Sequence, residues 1–548
     1  MSAIYEALRP YQRKAAGWGA RAGSFLLADQ PGLGKTIETL GTVVADKAYH
    51  RPGGPKEWHL IVCPSVAVNN VWAPEVTRWL TDTKVEVLSL TGPIAARRKA
   101  FQEFRTQPDT EHVFVITNIE ALRIEPIENP KTGKKNLFLK KAQPLRAVPG
   151  ALSKDKTFMR VSFRTAGPVL PALFSVKWNT IVVDESHRAL IRKTGTPTQT
   201  RAGFTMLTSD RRIALSGTPM RGKPEQLWGT LNWLQPRVYT SYWKWVEKYF
   251  MLSSNGFSDY VLGEFQEGGE DRMARDLTSI MLRRTKSEVL PDLPPKTYAG
   301  SWLLPEAHEE GRSPLLGIWL DPSAKQLKQI AQFTDEGIVL DGSDNELIAN
   351  GVLAQYTRAR QLAGAYHLIN GEKLTPTLDS PKYEWLKDFI EELDGERVVV
   401  ASQFTSIIDV FAEGLRAEGV DCHVLTGKTS DKQRTRIISD FQSDTPSATV
   451  FLLNTTAGGV AVTLDKSDFL VLLDETTIPD DQEQVEDRIH RASRMHNVTI
   501  YYLRTRNTIE EEVAYISAAR ENVQKYLLDG ARGIAFAKQV YAESKGQK

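Results

Sequence analysis

Cysteine is almost missing from this chain: Cys63 and Cys422 are the two in 548 residues, and they stand far apart. A disulfide-stapled secreted fold and a cysteine-rich zinc module are both excluded, and the scarcity suits a reducing compartment. An excess of one charge is missing as well. The 69 Lys and Arg residues face 67 Asp and Glu, a net +2. A histone-like polycation is therefore excluded, and any nucleic-acid surface has to be a local stripe. Apolar runs such as Phe469 to Leu473 are far shorter than the ~20 residues a membrane-spanning helix needs, so no membrane is expected as a partner. The start, MSAIYEALRPYQRKAAGW, has Arg9, Arg13 and Lys14 with no apolar stretch behind them, so a signal peptide is not expected either. A soluble, cytoplasmic protein follows as the expectation. No solenoid-period repeat and no low-complexity tract are visible.

What is present looks globular. Hydrophobic residues make up 41% and charged residues 25%, ordinary usage for packed domains. At one domain per ~150 residues the length predicts three or four folding units. Short runs rich in β-branched residues recur: His59 to Pro64, Val113 to Thr117, Thr180 to Glu185, Arg212 to Gly217, Arg397 to Ser402, Thr449 to Asn454 and Phe469 to Asp474. They are continuous rather than alternating, as strands buried on both faces of a parallel sheet read. Strands alternating with amphipathic stretches predict an α/β fold of doubly wound parallel sheets. The runs fall into two groups, before about Pro236 and after about Ser380, predicting two lobes. Between them, aromatic-rich Tyr239 to Tyr249 and the helical spacing of Ser323 to Ile369 predict helical insertions. Leu290-Pro-Asp-Leu-Pro-Pro295 cannot continue a helix and is the expected crossing linker.

Several short segments carry chemistry. Asp29-Gln-Pro-Gly-Leu-Gly-Lys-Thr36 opens a helix after an apolar run. Its glycines Gly32 and Gly34 let backbone N–H groups face a phosphate chain. Lys35 reaches the outer phosphates and the Thr36 hydroxyl can ligate Mg. The general phosphate-loop pattern has glycine where Asp29 stands, so this is a variant. Ile181-Val-Val-Asp184-Glu185-Ser186-His187 ends a strand in two carboxylates, at the edge where parallel sheets bind ligands. Asp184 is placed to hold Mg and Glu185 to polarise a water. Ser216-Gly-Thr218-Pro219 ends another strand, where short hydroxyls can sense a γ-phosphate. Gln484 to Arg491 sets Arg488 and Arg491 three residues apart, expected on one helical face, and guanidinium groups suit the charge of a transferring phosphoryl group. Their order predicts ATP in a cleft between the lobes.

On these residues the chain resembles a superfamily-two DNA translocase of the Swi/Snf type, over nearly its whole length. Leu8-Arg-Pro-Tyr-Gln12 is similar to the family's adenine-recognising opening. Asp29 to Thr36 resembles its phosphate loop, with Gln30 and Pro31 replacing the usual Glu-Met. Arg283-Arg-Thr-Lys-Ser-Glu-Val-Leu and Leu293-Pro-Pro-Lys296 are similar to its interlobe signature. Cys63-Pro-Ser65 with Asn70 and Trp72 resembles a DNA-contacting segment. Ser380-Pro-Lys382, Ser402-Gln403-Phe-Thr405 and Leu425-Thr-Gly-Lys428-Thr-Ser430 follow in family order, as does Thr455-Thr-Ala-Gly-Gly459, although Thr463 stands where the family usually has Asn. In the arginine motif, Ala492-Ser493-Arg494 replaces Ile-Gly-Gln.

The resemblance implies two RecA-like lobes with helical insertions and an ATP hydrolase that uses ATP and Mg. ATP is expected to be held by Gln12, Gly32, Leu33, Gly34, Lys35, Thr36, Gly459 and Gln484, with Lys35, Asp184, Glu185, Arg488 and Arg491 catalytic and Ser216 and Thr218 coupling. Double-stranded DNA is the implied partner, without strand separation, through Ser65, Asn70, Trp72, Thr117, Gln403, Lys428 and Thr455. The implied layout is an ATP-binding lobe over 1–238, helical protrusions over 239–290 and 321–379, a linker over 291–320, a second lobe over 380–520 and a helical tail over 521–548. No histone-reading segment is visible, so a compact bacterial or bacteriophage member is expected, a monomer with an unidentified protein partner left open.

A basic insertion is particular to this chain. Pro130 to Lys177 holds eleven Lys and Arg against the single Asp155, including Lys134, Lys135, Lys140 and Lys141. Such a patch neutralises phosphates and makes binding salt-sensitive. The alternatives are an RNA helicase of the Asp-Glu-x-His kind, a DNA-binding scaffold clamped by ATP, and the motor subunit of a restriction or repair complex.

Overall fold

The computed structural model describes residues 3–44, 56–126, 148–152, 159–162, 166–190, 198–220, 223–253, 261–304, 314–336, 338–340, 346–348, 352–370, 373–455, 462–491 and 494–521. The chain divides into two compact units between Val289 and Leu290.

The first unit is built on seven strands: β1 (Phe25–Leu27), β2 (Glu57–Cys63), β3 (Val85–Leu90), β4 (His112–Asn118), β5 (Lys177–Val183), β6 (Thr208–Leu215) and β7 (Met281–Leu282). They lie in the order β7-β1-β6-β5-β2-β4-β3, and every neighbouring pair is parallel. β2 and β4 are buried along their whole length, which explains their apolar runs Leu60 to Cys63 and Val113 to Ile116. The helix α1 (Pro10–Ala22) starts on a proline, whose fixed φ suits a first turn, and α2 (Lys35–Val44) follows β1. The crossover order brings the loops after β1, β5 and β6 side by side.

The second unit holds β8 (Lys296–Ala299), β9 (Ser301–Leu303), β10 (Leu315–Leu320), β11 (Val398–Ser402), β12 (Cys422–Leu425), β13 (Val450–Asn454), β14 (Phe469–Leu472) and β15 (Val498–Thr505). Their order is β9-β10-β15-β14-β11-β13-β12, with β8 also pairing β15. All pairs are parallel except β9 with β10. Alternate residues of one strand serve opposite cores: Val398 and Val400 pack with Phe411 and Leu415, whereas Val399 and Ala401 pack with Phe441 and Ile489. A sheet covered on both faces explains why the strand carries no polar alternation.

Three stretches differ from expectation. Residues 239–290 are not helical throughout, because Phe250–Ser253 pairs antiparallel with Val261–Phe265 and β7 joins the first sheet. Aromatic and β-branched residues suit a hairpin as well as a buried helix, so composition could not separate the two. Residues 291–320 do more than link: β8 and β10 extend the second sheet. Residues 321–379 hold the helices α3 (Ala324–Glu336) and α4 (Val352–Gly364), but also two hairpins, Ile338–Leu340 with Glu346–Ile348 and His367–Asn370 with Lys373–Pro376. Strands of three or four residues are too short to register against helical spacing. Among the described residues no helix is long and apolar enough to cross a membrane.

Candidate nucleotide-binding site

In the first unit the phosphate loop connects β1 to α2. Gly32 and Gly34 both take φ of 88°, a left-handed backbone that glycine adopts without a Cβ clash. Gly34 is constrained twice, because a Cβ there would stand 2.5 Å from Gln12 Nε2. The Lys35 ammonium donates to the Asp29 carbonyl at 2.8 Å, folded back over the loop. Leu33 is buried, and its carbonyl accepts from Gln12 Nε2 (2.9 Å) and the Tyr11 hydroxyl (2.8 Å). Gln12 Oε1 accepts from the Arg9 N–H at 2.9 Å. A primary amide has two donors and two acceptor lone pairs, so each end of Gln12 keeps one uncommitted.

The loop after β5 carries the carboxylates. Asp184 is held by the Trp72 indole, whose Nε1 donates to Oδ2 at 2.9 Å, and by the Glu185 N–H to Oδ1 at 2.9 Å. Burial, then the Glu185 charge, pushes the Asp184 carboxyl up to about 6, against the pull of Trp72 and Lys35. A partly desolvated carboxyl so unfavourably charged fits a nearby cation. Glu185 sits at φ 49°, ψ 48°, a left-handed strain that functional sites commonly keep.

His187, two residues on, lies with Nδ1 2.8 Å from Ser216 Oγ and 3.3 Å from Glu185 Oε2. Ser216 Oγ also accepts from the buried Thr218 N–H at 3.1 Å. The carboxylate loop and the Ser-Gly-Thr-Pro loop are therefore joined by a hydrogen bond through His187. A Cβ on Gly217 would meet Pro31 at 2.6 Å, so the glycine lets that loop lie against the phosphate loop.

Sequence reasoning gave His187, Asp29, Glu38, Arg283 and Arg284 no role in the site. The Arg283 guanidinium donates to the carbonyls of Ala28 (2.8 Å) and Gly217 (3.0 Å). Arg284 reaches Asp29 and, at 2.8 Å, Glu38, both fully buried. Burial and the Asp29 charge hold the Glu38 carboxyl far above the usual carboxylate range. The adjacent arginines of the interlobe signature were the signal available. Their partners lie about 250 residues away, beyond any local pattern.

In the second unit, α5 (Pro479–Ile489) carries Gln484, which is buried, and Arg488. Arg491 does not share that helical face. The helix ends at Ile489, His490 leaves helical backbone at ψ 83°, and the Arg491 guanidinium turns to the Val462 carbonyl at 3.2 Å. Burial lowers the Arg491 pKa against the charges of Asp487 and Asp465. Arg488 follows the helix, and its carbonyl accepts from the Leu464 N–H at 2.9 Å.

The expected DNA contacts divide. Ser65, Asn70 and Lys428 are exposed, Lys428 within 3.1 Å of Asp409, while Gln403 and Thr455 are half-buried. Trp72 and Thr117 are corrections: both side chains are fully buried. Trp72 points inward and donates its N–H to Asp184, and Thr117 is the next-to-last residue of β4, one strand in from the sheet edge, with its hydroxyl directed to the Leu90 carbonyl. Neither can present itself to DNA in this structure. Gly459, Lys134, Lys135, Lys140 and Lys141 lie outside the described residues.

The family follows from the whole chain. The SNF2-related domain matches residues 11–311 and the helicase conserved C-terminal domain residues 381–493. The chain belongs to the SNF2-related family; the first match takes in the whole sheet of the first unit, and the second takes in β11 to β14 of the second. It is similar to the ISWI chromatin-remodeling complex ATPase ISW1 of Saccharomyces cerevisiae, at 23% identity over 98% of this chain and 42% of that protein. It is also similar to the Drosophila melanogaster homolog of the SWI/SNF-related regulator of chromatin subfamily A containing DEAD/H box 1, at 26% identity over 93% and 59%. The chain thus spans about half the length of these relatives. Among solved structures it is similar to the Sulfolobus solfataricus SWI2/SNF2 ATPase core in complex with dsDNA, with 20% identity, 94% of each chain covered and a TM-score of 0.38.

Proposed function

We propose that this chain couples ATP hydrolysis to movement along double-stranded DNA, without separating the strands, and so remodels DNA or protein–DNA complexes. The observation that carries the reading is the pair of family matches in order on one chain, the SNF2-related half followed by the helicase C-terminal half. The relatives named as ATPases of chromatin-remodeling complexes support the same direction.

Gln12 reads adenine, whose edge needs one acceptor and one donor, the two sites its amide keeps. Backbone N–H groups from Gly32 to Thr36 cradle the phosphates, and Lys35 exchanges its carbonyl partners for phosphate oxygens. Thr36 and Asp184 hold Mg, which when bound neutralises developing phosphoryl charge. Glu185 orients the water, and His187 passes its position to Ser216 and Thr218. Arg488 and Arg491 supply guanidinium charge, while Gln484 and Gly459 complete the nucleotide contacts from the second lobe. DNA is met by Ser65, Asn70, Gln403, Lys428, Thr455 and the basic insertion. A monomer working in the cytoplasm is part of this reading.

The test is steady-state ATP hydrolysis with no nucleic acid, duplex DNA, single-stranded DNA, forked DNA and RNA. Stimulation by duplex DNA is expected, followed by displacement of a third strand from a triplex. Stimulation by RNA alone would move the chain to the RNA helicases. No stimulation by any of them would overturn the motor.

A further inference from the structure

The strand ends remote from the phosphate loop carry a cluster that ATP chemistry does not use. Glu57 and His59 are two apart on β2 and so share a face of the sheet. Glu57 pairs in register with His112, the first residue of β4, which puts His112 beside them. His59 Nε2 lies 3.0 Å from His112 Nδ1. Glu57 Oε2 lies 3.6 Å from the former and 3.5 Å from the latter. All three residues are buried. A charge-assisted hydrogen bond from imidazole to carboxylate is closer, about 2.7–2.9 Å. Ligands about 2.0–2.1 Å from a tetrahedral zinc, by contrast, stand roughly 3.3 Å apart, and the three separations bracket that value. Each separation lies within about 0.3 Å of the edge of such a tetrahedron.

We propose that Glu57 Oε2, His59 Nε2 and His112 Nδ1 bind one zinc-type divalent ion that ties β2 to β4. Two imidazoles and one carboxylate select zinc or a neighbouring transition metal over Mg, which prefers an all-oxygen shell. Imidazole ligates when neutral. Arg211 lies near enough to His59 to act on it electrostatically. Arg211 opposes a cation, so the Glu57 charge is needed to offset it. The fourth corner is left for water.

The purified full chain, stripped with chelator and kept free of nucleotide, is titrated with Zn²⁺ and with Co²⁺. One zinc retained per chain after desalting, a rise of several degrees in Tm and the visible bands of four-coordinate cobalt are expected. Glu57→Gln and His112→Gln are each expected to weaken zinc binding at least tenfold. Zinc retained equally by both variants, or a wild-type chain with no cobalt bands and no Tm shift, would show a purely hydrogen-bonded cluster and overturn the site. If His112→Gln does not fold, Glu57→Gln, which keeps the shape of the side chain, and the wild-type cobalt spectrum decide.

Discussion

Asp184 shows what one side chain has to be given before it can work. Its carboxylate is half-buried and lies next to Glu185, and desolvation with the Glu185 charge pushes it up to about 6 even with the Trp72 N–H in place. Lys35 is the counterpart whose removal is simplest to read, since it holds the loop backbone now and is assigned to phosphate. Lys35→Ala is expected to abolish ATP hydrolysis while leaving DNA binding largely intact; residual turnover by the purified variant would contradict the assignment.

His367, in the second lobe, has no part in the proposed chemistry and reports on folding alone. It is buried, its Nδ1 lies 2.9 Å from the Ala365 carbonyl, and Nε2 has no partner among the described residues. Burial pulls its pKa from 6.5 to about 4, with Arg358 adding to the shift. The folded state then binds fewer protons than the unfolded state, so this contribution is complete above pH 6.5 and is lost as pH falls towards 4. The whole loss is about 3 kcal/mol. His367→Gln removes it, so the stability difference between wild type and variant is expected to move against the wild type between pH 7 and 5 in thermal melts. A constant difference would mean that His367 is not held neutral.

At the scale of the element, the phosphate loop is a backbone device. Gly34 has both a left-handed φ and the Gln12 amide where its Cβ would go. Gly34→Ala is expected to weaken ATP binding at least tenfold. Gly23→Ala, also at positive φ but with open space around it, is expected to cost about 1–3 kcal/mol of stability and leave nucleotide affinity unchanged. Equal losses of affinity in the two variants would put the effect in general strain rather than in the site. The end of α5 makes a related point. A three-residue spacing predicts a shared face only while the helix lasts, and His490 ends it before Arg491.

On the scale of the whole molecule, balanced charge hides a strongly basic segment, and its effect is one of long-range electrostatics. Replacing Lys134, Lys135, Lys140 and Lys141 by Gln is expected to flatten the salt dependence of duplex binding. The log–log slope should fall by roughly 0.9 for each phosphate that is no longer neutralised. Fluorescence anisotropy at several salt concentrations measures it, and an unchanged slope would remove the insertion from the DNA surface.

The α/β class, the two groups of strands and the run of nucleotide motifs were legible in the chain itself. Buried parallel strands need unbroken apolar residues, and a phosphate loop needs its glycines, lysine and threonine at adjacent positions. Those are local demands, and local demands leave local patterns. The inward turn of Trp72, the His187–Ser216 link, the Arg284 bridge to Asp29 and Glu38, and the meeting of Glu57, His59 and His112 left no such pattern. Each joins segments that become neighbours only through strand register or sheet crossover, so the folded backbone alone decided which groups face one another.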